Sequence, residues 1–132
     1  HKRRTIKGWQ GIKKRMQIGD DAQIRLAIII ADKILDEILK MIGYRGETMA
    51  DRLKQITPAQ LTNINDIWNA HKIRNRIVHD TEFSLTKNEA EMIIIIYKKA
   101  DLKILQIELE NYIRMKNFQK IHWVLSQGHL IH

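Results

Sequence analysis

Residues Ala22 to Ile42 constrain the fold more than any other stretch. Ile24, Ala27, Ile28, Ala31, Ile34, Leu35, Ile38, Leu39 and Ile42 fall at three- and four-residue steps, with no polar gap along the stripe. That is the spacing of one helix face, and a strand would need a period of two. Leu26, Ile29 and Ile30 widen the stripe, so this helix is expected at the centre of the fold. Asp20 and Asp21 suit its N-terminus, and the glycines of Gly43-Tyr44-Arg45-Gly46 suit a left-handed cap at its end.

The other helices follow from the same periodicity. Trp9, Ile12 and Met16 predict a short amphipathic helix from about Ile6 to Gln17. Thr48 and Asp51 open a short helix from Met49 to Ile56. Thr57-Pro58-Ala59-Gln60 is a second start signal, leading into a helix from Ile64 to Val78. Thr86-Lys87-Asn88-Glu89 is a further capping box. The helix it opens is expected to run from Lys87 to about Met115, with Ile93, Ile96, Tyr97, Ala100, Ile104 and Ile107 on one face. Phe118 to Leu125 read as one more short helix. The product is an all-α bundle of four main helices plus short flanking helices.

Several function classes drop out early. With no cysteine there are no disulfides, thiolate metal sites or cysteine nucleophiles. The longest apolar runs, Leu26 to Ala31 and Met92 to Tyr97, are far short of a bilayer span. Membrane association is expected only through a segment preceding His1, and the location expected is cytoplasmic, or the cytoplasmic side of a membrane-anchored parent. There is no Gly-rich phosphate loop and no GxSxG elbow. No metal and no cofactor are expected. The carboxylate pairs Asp32/Asp36 and Glu89/Glu91 share their helices with lysines and read as solvated faces.

The net charge of +8 is concentrated at the start. Lys2, Arg3, Arg4, Lys7, Lys13, Lys14 and Arg15 all precede the first acid, Asp20, and the rest is nearly neutral. Such an arm reads as a solvated terminus, a phosphate-contacting arm or the cytoplasmic flank of a membrane anchor.

The helix around Trp68 to Asp80 breaks its own pattern. Ile64, Ile67, Trp68, Ala70, Ile73, Ile77 and Val78 define an apolar arc, yet His71, Arg74 and Asn75 point into it and His79 sits at its margin. An unpaired buried guanidinium costs several kcal/mol. These groups are therefore paired inside the fold, line a cleft, or lie between two chains. A plain structural arrangement would pair Arg74 with Asp36, Glu37 or Asp66, leave His71 as a satisfied interface histidine, and make His79 a helix cap.

Arg74-Asn75-Arg76-Ile77-Val78-His79 resembles the signature of the HEPN superfamily (higher eukaryote and prokaryote nucleotide-binding domains): an arginine, a polar residue, and a histidine after four to six positions near the end of the third main helix. The surrounding text is similar too. It includes Ala31 to Leu39, Gly43 to Thr48, Trp68 to His79 and Leu85 to Glu91, and the likeness extends over roughly Asp21 to Ile107. The pattern resembles uncharacterised bacterial HEPN-like proteins. The division it suggests is a basic arm with a short helix (1–20), an HEPN-like bundle (21–116), and a C-terminal short helix and tail (117–132).

The resemblance implies a homodimer whose motif helices face each other across a cleft. In many members that cleft is a metal-independent endoribonuclease site, and a cognate antitoxin or a role in phage defence goes with it. Arg74 would then stabilise the phosphate, His79 act as acid or base, and Asn75 orient them. Backbone phosphate of RNA would meet Arg76 and Lys72, with Lys13, Lys14 and Arg15 from the arm. The alternative is a non-catalytic module that binds nucleic acid or nucleotide, or that dimerises. Arg74 and His79, five residues apart, lie about 140° apart on a regular helix, so they converge in one chain only if the helix distorts near Val78. Members regulated by nucleotidylation carry a tyrosine two positions after the histidine, where this chain has Thr81.

Overall fold

In the computed structural model, which describes residues 2–131 and the side chains of residues 3–128, the chain is all-α. The helices are α1 (Lys2–Ile18), α2 (Asp21–Met41), α3 (Met49–Leu53), α4 (Ile64–His79) and α5 (Lys87–Ile131). No strand occurs among the described residues, so Ile93 to Ile96, β-branched as they are, follow the helical pattern around them. No helix among the described residues is long and apolar enough to cross a membrane.

Local signals set most of the boundaries. Asp20 caps α2 by accepting from the Gln23 amide at 2.8 Å. Thr48 and Asp51 form a reciprocal capping box on α3, and Thr86 and Glu89 do the same at the head of α5. Gln60 accepts from the Thr57 amide at 2.9 Å, but residues 58–60 form only a turn before α4. Gly43 follows α2 with φ +105°, a left-handed conformation open to glycine and strained for other residues.

Residues up to Asp101 form one compact unit, and Leu102 onward a second. Inside the first, α2 is the spine. Eight of the nine stripe residues are buried, and only Ile42 at the end is partly exposed. α1 packs along α2 through Ile12 and Met16. It comes close at Gly8, where a Cβ would lie 2.6 Å from Ile34 Cδ1. Ile64, Ile67, Ala70 and Ile77 of α4 and Ala90, Ile93, Tyr97 and Ala100 of α5 complete the core, with Leu53, Ile56 and Leu61 from the connection.

Two expectations change. α1 begins at Lys2 and not near Ile6, so the basic arm is itself helical. α5 continues to Ile131, so the break expected between Met115 and Phe118 does not form. Asn111, Arg114, Lys116 and Asn117 thin its apolar stripe, but no Gly or Pro interrupts the helix before Gly128. The second unit, taken by itself, exposes Leu102, Leu109, Phe118, Ile121, Trp123 and Leu125, each at 58% or more.

Candidate functional site

α4 holds the signature residues, and α2 holds α4. At the C-terminal end of α4, Arg25 of α2 donates from Nη1 to the Ile77 carbonyl (3.3 Å) and from Nη2 to the Thr81 carbonyl (3.2 Å). The carbonyls of a helix end lack intrahelical partners, and a cation there also meets the negative end of the dipole. The helix stays regular through His79.

Two turns along α2 from Arg25 lies Asp32, which is 3% exposed. Its Oδ2 accepts the Tyr97 hydroxyl at 2.7 Å and lies 2.8 Å from His71 Nδ1. Its Oδ1 lies 3.6 Å from Arg74 Nε, an ion-pair contact beyond hydrogen-bond range, and that Nε is buried without a hydrogen-bond partner among the described residues. Burial, reinforced by the adjacent Asp32 charge, pushes the Tyr97 phenol far up, so it remains a donor. An ionised carboxylate has only acceptors, so His71 must carry its hydrogen on Nδ1 to bond with it.

Arg74 is gripped from behind and open in front. Nη1 donates to Asn75 Oδ1 at 2.9 Å, while the side chain keeps 32% of its surface exposed. Nη2 makes no hydrogen bond among the described residues.

The acid beside Arg74 is thus Asp32, not Asp36, Glu37 or Asp66. Asp36 is committed elsewhere: the buried Arg52 donates to it twice, from Nε at 2.6 Å and from Nη2 at 3.1 Å, and to the Gly46 carbonyl. The solvated-face reading of Asp32/Asp36 is therefore wrong, because both carboxylates turn toward the protein. Glu89 and Glu91 are exposed, as that reading expected.

The remaining signature positions spread out. His79 is exposed as the last residue of α4, and no hydrogen bond joins it to Arg74 or Asn75. With the helix undistorted, the 140° separation stands, and one chain brings together Arg74 and Asn75 without His79. Lys72 is exposed. Arg76 is 3.8 Å from Asp80 and lies 4.1 Å over the Phe83 ring, on the outer side of α4. Lys13 and Lys14 are exposed on α1, but Arg15 is half-buried and donates to Gln23 Oε1 at 2.7 Å. Trp68 is half-buried with its ring edge-on to His71 at 6.4 Å.

Sequence reading missed Asp32 and Tyr97 as members of this cluster. Asp32 stands at i+4 from Ile28 and i−3 from Leu35, in the middle of the α2 stripe. The wheel that flags His71 and Arg74 on α4 flags it equally. Among the described residues, no group of three or more His, Cys, Asp or Glu is placed to hold a metal ion.

An open groove of about 850 Å³ lies away from the cluster, between α1 and the first turns of α5. It is mostly apolar, with Trp9, Ile12, Met16, Ile94 and Ile95 beside Lys87 and Lys98. No α4 residue lines it. Comparison of the chain with protein-family models, with curated proteins and with solved structures finds no match in any of the three.

Proposed function

We propose that the chain is a HEPN-type, metal-independent endoribonuclease acting on RNA as a homodimer. The observation that carries the reading is the state of Arg74: buried on one edge against the Asp32 cluster, tied to Asn75, and open on the other edge. A guanidinium fixed in this way is prepared for the oxygens of a phosphodiester and for the added charge of its pentavalent transition state. Imidazole as a chemical class serves in proton transfer, and His79 is exposed at the end of the same helix. Because it is turned away from Arg74, the reading requires two copies, each completing the other's site across a two-fold axis.

Cleavage proceeds by attack of the 2′-oxygen on phosphorus and loss of the 5′-oxygen, leaving a 2′,3′-cyclic phosphate. The expected result is cutting of single-stranded RNA in EDTA with those termini, abolished in Arg74→Ala and His79→Ala. Folded wild-type protein that leaves varied RNAs intact refutes the reading.

A second reading rests on α1, where Lys13 and Lys14 are exposed on a basic helix: a module that binds nucleic acid without cutting it. It requires affinity that falls steeply with salt and a shallower salt slope in Lys13→Gln/Lys14→Gln.

A further inference from the structure

Transesterification of RNA moves two protons, one off the attacking 2′-hydroxyl and one onto the departing 5′-oxygen. In-line displacement places these oxygens on opposite sides of phosphorus. One imidazole per site therefore leaves half the proton traffic without a protein group. α4 carries a second histidine. His71, Asn75 and His79 follow one another at four-residue steps up the helix, with Arg74 flanking His71 on the side away from His79.

His71 is set up in a way that a mere core histidine is not. Asp32 fixes its ring through Nδ1 at 2.8 Å, and Tyr97 fixes Asp32 in turn at 2.7 Å. The lone pair is thereby assigned to Nε2. Nε2 has no hydrogen-bond partner among the described residues, and it is not one of the polar atoms sealed from solvent. The charged and titratable groups around the ring are Asp32 from α2, Arg74 from α4 and Tyr97 from α5, with Asp101 acting on Tyr97 from behind.

His71 and His79 of one chain cannot serve one phosphate. Eight residues separate them by about 12 Å along the axis. Both side chains lean toward the helix N-terminus, so the separation carries over to the rings.

We propose that His71 is the base of the site and that the acid is His79 of the second copy. This rests on the ribonuclease reading above and deepens it. His71 Nε2 takes the 2′-hydroxyl proton as the 2′-oxygen bonds to phosphorus. The P–O5′ bond breaks, and the 5′-oxygen leaves with the proton of the His79 imidazolium. Arg74 and Asn75, from the same copy as His71, hold the non-bridging oxygens. Each dimer thus contains two sites, each drawing on both chains.

The test uses the full chain, single-stranded RNA and EDTA. His71→Asn keeps an N–H for Asp32 and removes the proton-accepting nitrogen, and His79→Gln removes the acid. Each homodimer is expected to lose cleavage. Heterodimers of the two variants, co-expressed and isolated through two different tags, contain one site with neither change and recover about half of the wild-type rate per dimer. In Asp32→Asn the acidic limb of the pH–rate profile, set by the base, moves to lower pH by one unit or more, roughly the effect of removing a carboxylate in contact. A structural role for Asp32 would lower the rate without moving the limb.

His71→Asn cutting at the wild-type rate overturns the assignment and leaves the ribonuclease reading intact. Inactive heterodimers overturn the sharing between copies. If His71→Asn does not fold, the Asp32→Asn profile decides, and an unmoved limb counts against His71. Wild-type protein inert toward RNA overturns both readings together.

Discussion

Asp101 is expected to make the protein lose stability as the solution goes from acid to neutral. The residue is 3% exposed, and no cation among the described residues pairs with it. Trp9 Nε1 donates to Oδ2 at 3.0 Å, and Oδ1 is buried without a hydrogen-bond partner among the described residues. Burial pushes its pKa up from 3.8 to about 7, and the Trp9 hydrogen bond opposes this only in part. Below the unfolded pKa both states are protonated, and the contribution is fully present. Between the two values the unfolded chain sheds the proton freely while the folded chain keeps it, so stability falls with pH. Above about 7 both states are ionised and the contribution is gone. A gap of about three units corresponds to on the order of 4 kcal/mol, a large part of the roughly 5–15 kcal/mol of a typical domain.

The assay is urea unfolding from pH 5 to 8.5, for wild type and Asp101→Asn. Asparagine keeps an acceptor for Trp9 and cannot ionise. Every other ionisable group is common to both proteins, so its contribution cancels in the difference. The variant is expected to gain on wild type by about 2.7 kcal/mol across this range, the part of the gap that lies above pH 5. Parallel pH curves for the two proteins would refute the reasoning.

Two further outcomes concern the buried polar groups. Arg52→Ala removes both donors from Asp36 and one from the Gly46 carbonyl. It is expected to cost about 3 kcal/mol, the lower end for breaking a buried pair because Lys40 remains 3.5 Å from Asp36; chemical denaturation measures it. Tyr97→Phe deletes one hydrogen bond to an ionised carboxylate and leaves His71 as its partner. It is expected to cost about 1.5 kcal/mol, read as a lower Tm.

What could be read from the sequence was whatever repeats. The α2 stripe recurs six times over and predicts the spine residue by residue, and the Thr48 and Thr86 boxes place two helix starts. The extent of α5 was harder because the reading depended on a thinning apolar stripe, whereas continuity of a helix depends on the absence of a breaker. The polar cluster was half visible. His71 and Arg74 stand out on α4 because they interrupt a greasy face, and Asp32 interrupts the α2 face in the same way. Its neighbour Asp36 and the nearby lysines made it look like surface charge. Tyr97 could not be told from an ordinary core aromatic, since only the approach of α5 to α2 gives its hydroxyl a partner.

Arg25 and Asp32 are seven residues apart on α2, roughly 10 Å along its axis, and each holds α4 at a different point. One grips the carbonyls of Ile77 and Thr81, the other the ring of His71. Two separated pins remove both freedoms a packed helix otherwise has, sliding along its axis and rolling about it. A slip of one turn, about 5.4 Å, would release both at once. α2 therefore works as a gauge that fixes which α4 side chains face outward, and at what height. The outward row can then change residue by residue to suit whatever surface it meets, without moving the inner row.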